Sequence, residues 1–327
     1  MHTLLGLSST LLVTLGGYLT LSILYRVGSW SQRRGVQFFV LMVPIVSLGI
    51  GIGGLHHFTG RSCFSSAPSW DSLLGVAVPL GMGLVALGAL GLGVVRLTLI
   101  ARVVARNRMS AGPELQSLAD DLAERLGAAQ SRVLLCAYDR PLALTYGLFR
   151  PTVLLSTWMV EHRDRRELEA VLAHELEHVA QRDYLVIWLA TVLRDAFFYV
   201  PTSWAAYRQL QHEKELACDD AVVGATHRPL ALASALAKVW QHAVEGSHFA
   251  RFGTAQSLVG EGESINGRIE RLLATPRPTT RTGRSHRGIF RVSIPALIGL
   301  LMLEAVNVTL ILAAMGCGPA LLLGKLF

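Results

Sequence analysis

A chain of 327 residues with 51% hydrophobic and only 16% charged side chains, at a mean hydropathy of +0.43, is too apolar for an ordinary soluble domain, where about a quarter of residues are charged. The net charge of +7 comes mainly from arginines that sit beside apolar runs, so it reads as membrane topology and not as direct nucleic-acid binding. Four cysteines without a C-x-x-C pair give no sign of a cysteine zinc site or a thioredoxin-type motif.

Residues 4–25 form an apolar run long enough to cross a bilayer, which takes roughly 20 helical residues. It lacks a basic leader and a second apolar run follows at once, so an anchor is favoured over a cleaved signal peptide. Arg26, Arg33 and Arg34 follow it, then a second run over 36–55 and a loop over 56–71. The third run, 73–95, is rich in glycine, which suits close helix packing or simply reflects membrane composition. Arg96, Arg102, Arg106 and Arg108 close it. A fourth run covers 292–315, after arginines spread over 268–291. It carries Glu304, whose cost at membrane depth predicts a partner inside a helix bundle.

Placing every arginine cluster on the cytoplasmic side puts both termini outside. The expected division is 1–105 with three spans, 106–288 in the cytoplasm, and 289–327 with the fourth span and a short external tail. Cys63 and Cys317 then fall outside, where a disulfide between them is chemically permitted and two free thiols are the alternative. Cys136 and Cys218 fall inside and should be reduced.

Within the cytoplasmic part, residues 113–127 read as an amphipathic helix with Leu115, Leu118, Leu122 and Leu126 on one stripe. Residues 132–137, 142–146 and 152–156 read as short strands. A helix is expected over 163–183 and another over 209–223. The apolar stretch 184–204 carries Arg194 and Asp195 at its centre and Pro201 near its end. Central charges favour a buried or membrane-contacting helix over a full span. Residues 254–271 read as loop and short helix, and 275–287, with Pro276, Pro278 and Gly283, as a linker back to the membrane.

The helix over 163–183 contains His174-Glu175-Leu176-Glu177-His178, an H-E-x-x-H pattern. Positions i and i+4 share a helix face, so both imidazoles can meet one metal, with Glu175 beside them to activate water. Catalytic zinc takes three protein ligands and keeps one position open. Glu215 and Asp219, also i and i+4, supply the third ligand and a carboxylate to orient a ligand histidine through its other ring nitrogen. Glu215 is preferred as the ligand, although His212 could also reach the site. For an oxyanion, His212, Tyr207 and Arg208 are candidates that nothing ranks. A substrate peptide could add as a strand beside 142–146.

His174-Glu175-Leu176-Glu177-His178, Arg182-Asp183 and Glu215-Leu216-Ala217-Cys218-Asp219-Asp220 together resemble the BlaR/MecR-type membrane metallopeptidases. Residues 141–147 are also similar to the active-site edge strand of HtpX-like proteases. The resemblance covers roughly 112–223 and the order of spans around it. It implies a polytopic α-helical membrane protein of about four transmembrane helices with an inserted cytoplasmic α+β gluzincin-type domain. It implies one Zn2+ on His174, His178 and Glu215, with Glu175 as general base and Asp219 behind a ligand. The substrate it implies is a cytoplasmic transcriptional repressor or the chain itself. The antibiotic-sensing members carry a penicillin-binding domain after the last span, where about a dozen residues follow in this sequence. A quality-control protease and a non-proteolytic scaffold with structural zinc are the alternatives. Membrane lipids are expected partners, and a homo-oligomer stays open.

Overall fold

Alternation along short strands sets the architecture around the motif helix. In a computed structural model, which describes residues 69–147, 150–245 and 262–274, the strands pair in the order β1-β2-β4-β3. They are β1 (Arg108–Ser110), β2 (Arg132–Cys136), β3 (Ala143–Tyr146) and β4 (Thr152–Ser156). β2 and β4 run parallel, and β1 and β3 flank them antiparallel. Successive side chains point to opposite faces. Val133, Val153, Leu155 and Ala143 therefore enter one core, and Leu134, Cys136, Leu154 and Leu144 enter another.

Helix α1 (Ser69–Asn107) precedes the sheet. The sequence predicts a span over 73–95, but the helix runs on through the arginines, and its long apolar window is Gly83–Asn107. Charge does not stop a helix, and Arg is a good helix former. Leu84 and Leu87 are 62% and 65% exposed, an outward apolar surface that suits lipid and not a core. Farther along, Ile100 and Val104 pack on the Leu134–Leu154 face of the sheet. Among the described residues, α1 is the helix long and apolar enough to cross a membrane.

The other sheet face is covered by α2 (Pro113–Leu126), the short helix α3 (Thr157–Glu161) that follows β4, and α4 (Arg165–Gln181). α2 starts at Pro113, whose fixed φ suits the first turn, and stops at Gly127, which takes φ 61°. α4 opens on a capping box, with Asp164 accepting from the Glu167 N–H and Glu167 reaching back. It ends at Arg182 in the left-handed region (φ 54°), one residue inside the expected boundary.

The ambiguous stretch 184–204 resolves into two pieces. α5 (Asp183–Ala196) has 14 residues, about 21 Å at 1.5 Å each, short of the roughly 30 Å hydrocarbon core. Pro201 then begins α6 (Pro201–Thr226), which is longer than the expected 209–223. Arg194 lies 2.6 Å from Asp195 and stacks over Trp204 and Tyr207, so the central charges have local partners. α7 (Pro229–Glu245) has no counterpart in the sequence reading, and α8 (Gly262–Leu273) occupies the region read as loop and short helix. α7 contributes Leu232, Leu236 and Val239 to the core, and α8 contributes Leu272.

By contacts the chain divides into two units. The described residues of one are 69–93 and 190–210; those of the other are 94–147, 150–189, 211–245 and 262–274. The expected runs 4–25, 36–55 and 292–315, Glu304, the linker 275–287, and the Cys63–Cys317 pairing lie outside the described residues.

Candidate metal centre

α4 is buried along the turn that carries the motif: His174 and Glu175 are 3% and 2% exposed. Four residues apart on that helix, the rings of His174 and His178 lie 4.8 Å from each other, edge to face. α6 brings Glu215 against both. Its Oε2 is 3.3 Å from His174 Nε2 and its Oε1 is 3.7 Å from His178 Nε2. The three donors lie within 4.8 Å of one another.

Neither ring nitrogen of His174 makes a well-directed hydrogen bond, although Asp219 Oδ1 lies 3.4 Å from Nδ1. Buried polar atoms are rarely left this way. Donors held at about 2.0–2.2 Å from a tetrahedral zinc stand roughly 3.3–3.6 Å apart; the nitrogen-to-carboxylate distances are 3.3 Å, within that range, and 3.7 Å, just beyond it. Two imidazoles and a carboxylate are also the donor types zinc accepts. The residues therefore fit a zinc ion.

Each imidazole has a carboxylate at its other nitrogen. His178 Nδ1 donates to Asp183 Oδ2 at 2.9 Å, which turns its Nε2 lone pair toward Glu215. Asp219 stands behind His174. Each of these carboxylates meets a buried cation. Lys214 donates to Asp183 Oδ1. Arg268 donates through Nε and Nη2 to both oxygens of Asp219, each at 2.7 Å, and through Nη1 to Glu215 Oε2 at 2.8 Å.

These contacts set the proton affinities. Burial works against a proton on His174, but Asp219 and Glu215 outweigh it and raise the metal-free group to about 10. His178 is raised as well, burial being overcome by its bond to Asp183. Burial would raise Asp183, yet His178 and Lys214 bring it down to about 2. Asp219 and Glu215 are lowered against burial, by His174 with Arg268 and by Arg268 with His174 respectively. Burial and the surrounding acids push the Cys218 thiol well up, so it stays neutral, 3.4 Å from His178 Nδ1.

Glu175 lies on the sheet side of α4. The Thr145 hydroxyl stands 2.9 Å from Glu175 Oε2 and 3.0 Å from the Glu175 carbonyl, joining β3 to the motif helix. β3 is the last strand of the sheet, so its outer edge has no strand partner among the described residues.

Of the residues singled out in the sequence, His174, His178, Glu215 and Asp219 are brought together. The oxyanion candidates separate. His212 is on α6 near Glu215, with its proton affinity lowered by burial and by Arg268 and Arg271. Tyr207 lies in the other unit, where its hydroxyl accepts from Thr191 at 3.2 Å. Arg208 is exposed. Sequence reading gave no role at the site to Asp183, which it quoted only within the resemblance, or to Lys214, Thr145 and Arg268. Lys214 adjoins Glu215 and Asp183 follows the motif closely, so nearness was a usable signal for both. Arg268 was assigned to a topological arginine cluster, and nothing local marked it.

The profile of the family described as BlaR1 peptidase M56 matches residues 81–272. The chain belongs to that family. The M56 match is wider than the region that carried the sequence resemblance and takes in the latter part of α1 and all but the last residue of α8. Among curated relatives, a protease HtpX homolog of Pyrobaculum calidifontis is 37% identical over 90 residues, covering 27% of this chain and 26% of the relative. Protease HtpX homolog 1 of Streptomyces coelicolor is 32% identical over 173 residues, covering 42% of this chain and 56% of the relative. Regulatory protein BlaR1 of Bacillus licheniformis is 28% identical over 89 residues, covering 27% of this chain and 15% of the relative. The chain thus spans between about a seventh and just over half of the length of these relatives. The expected likeness to BlaR/MecR-type membrane metallopeptidases holds at the level of the M56 family.

Proposed function

We propose that this M56 chain is a membrane-embedded zinc endopeptidase acting in regulated signalling, with His174, His178 and Glu215 as metal ligands and Glu175 as general base. The observation that carries the reading is the convergence of two imidazole nitrogens on one carboxylate, 3.3 and 3.7 Å away, beside a buried glutamate held by the edge strand.

Bound zinc supplies Lewis acidity at a scissile carbonyl and lowers the pKa of a water to about 7. Glu175 would accept the proton of a water attacking the carbonyl and would return it to the amine nitrogen as the C–N bond breaks. Thr145 holds one Glu175 oxygen and so aims the other. A substrate segment adds to the outer edge of β3, where main-chain hydrogen bonds fix its register against α4. Asp219 and Asp183 orient the two imidazoles.

The substrate class we infer is a cytoplasmic or membrane protein, either a transcriptional repressor or this chain itself. The similarity to a protein named regulatory supports this. Similarity to proteins named HtpX proteases favours a quality-control role as the second reading. The topology we infer has four spans, with 1–105 and 289–327 around a cytoplasmic 106–288 and both termini outside. The arginine clusters and the apolar surface of α1 support it.

The deciding experiment compares the purified full chain with Glu175→Gln for bound zinc and for cleavage of itself and of a candidate repressor. Zinc in both with cleavage only in wild type is the expected result. Identical fragments from both would refute Glu175 as base, and absence of zinc from wild type would refute the metal assignment.

A further inference from the structure

The two cations behind the metal site have different origins. Lys214 sits on α6 beside Glu215, whereas Arg268 is 49 residues beyond Asp219, on α8. Its side chain is 2% exposed, and its planar fork commits three donors to two acids one helical turn apart on α6. Burying a guanidinium is costly unless its donors are matched. Here they are matched by the inferred ligand Glu215 and by the acid behind His174. A buried carboxylate and a partly buried one so close would repel each other without that cation. A second, exposed link joins the same helices: Arg271 pairs with Asp220 and donates to the Leu216 carbonyl at 3.2 Å. The polar links of α8 to α6 are thus ionic and centred on the site, while Leu272 and Ile269 join the apolar core that α6 and α7 share.

We propose that α8 is a separable clamp on the metal centre: its docking inserts Arg268, which positions Glu215 and Asp219, so tight metal binding and α8 docking depend on each other. The proposal rests on the reading of His174, His178 and Glu215 as ligands. Reciprocity follows from linkage: if docking strengthens metal binding, metal strengthens docking by the same factor. Arg268 acts through its two carboxylates and is a positioning residue. Lysine cannot replace it fully, because an ammonium is a point charge and cannot hold both carboxylates in one plane.

The test uses the full chain in detergent and two readouts that need no catalysis. Zinc affinity is measured by competition with a chromophoric chelator, and amide exchange is followed across residues 262–273 with and without zinc. Arg268→Met should weaken zinc binding about 10–100-fold, the range for a residue behind a metal ligand, with Arg268→Lys between it and wild type. Zinc should slow exchange in α8 of the wild type but not of Arg268→Met. Where Arg268→Met fails to fold, the exposed Arg271 decides. Arg271→Glu should weaken zinc binding several-fold, and adding Asp220→Arg should restore it. Zinc affinity of Arg268→Met, or failing that of Arg271→Glu, within twofold of wild type overturns the clamp. So does α8 exchange in the wild type that ignores zinc. His178→Ala separates the two readings: if it binds zinc as well as wild type, the ligand assignment itself is overturned.

Discussion

Asp183→Asn isolates the contact that orients His178. Asp183 and Lys214 have side chains only 4% and 2% exposed, and Asp183 accepts from both Lys214 and His178 Nδ1. Asparagine keeps the shape and one acceptor oxygen but loses the charge. Removing one partner of a buried ion pair costs about 3–5 kcal/mol, because the remaining charge stays buried. The retained amide acceptor places this variant near the lower end, about 3 kcal/mol. Independently, the imidazole loses its anionic partner, which lowers metal affinity about 10–100-fold. Lys214→Met added to Asp183→Asn removes the ammonium that lost its carboxylate. The double variant should recover most of the unfolding free energy of the metal-free protein while keeping the weakened zinc affinity. Denaturant unfolding in detergent after chelation reads the first quantity, and competition with a chromophoric chelator reads the second. The reasoning is refuted by an Asp183→Asn variant that binds zinc within twofold of wild type, or by a double variant no more stable than the single one.

Three further outcomes are expected. Metal-free His174 has its proton affinity raised from 6.5 to about 10, so the stability it contributes is full below 6.5 and is lost as pH rises toward 10. The melting temperature of the chelated protein should fall across that window while zinc affinity rises, since fewer protons must be displaced; a pH-independent zinc affinity would contradict this. Thr145→Val keeps the β-branched shape but removes the hydroxyl at Glu175 Oε2. A hydrogen bond to a charged group is worth about 1.5–3 kcal/mol, so peptide hydrolysis should drop at least about tenfold with zinc content unchanged; unchanged turnover would show that Thr145 does not aim the base. Gly147 sits at φ 99°, and a Cβ there would meet the Arg150 carbonyl oxygen at 2.5 Å. Gly147→Ala should therefore destabilise the domain by more than about 1 kcal/mol in denaturant titration, and a neutral result would mean the turn can relax.

The local chemistry was legible along the chain because it obeys short periods. H-E-x-x-H and the Glu215–Asp219 pair both use the four-residue repeat of a helix, and their elements appear as α4 and α6. The strands showed through their alternation, and α2 through its leucine stripe ending at glycine. The apolar run over 73–95 was visible from hydropathy alone, but the continuation of its helix to Asn107 was not, because arginines look like a boundary while a helix can carry them onward. Asp183 escaped notice as a partner because five residues along a straight helix point away from His178. Only the left-handed turn at Arg182 brings its carboxylate back. Thr145 acquires a role only once β3 takes the sheet edge against α4. Arg268 is the clearest case. In the sequence it was one more arginine before a membrane run, and in the fold its guanidinium joins the two acids of α6. Helical and strand periods act over a few residues, so sequence determined which groups could share a face. Which cation neutralises a buried acid depends on chain segments tens of residues apart, and that was decided by tertiary packing.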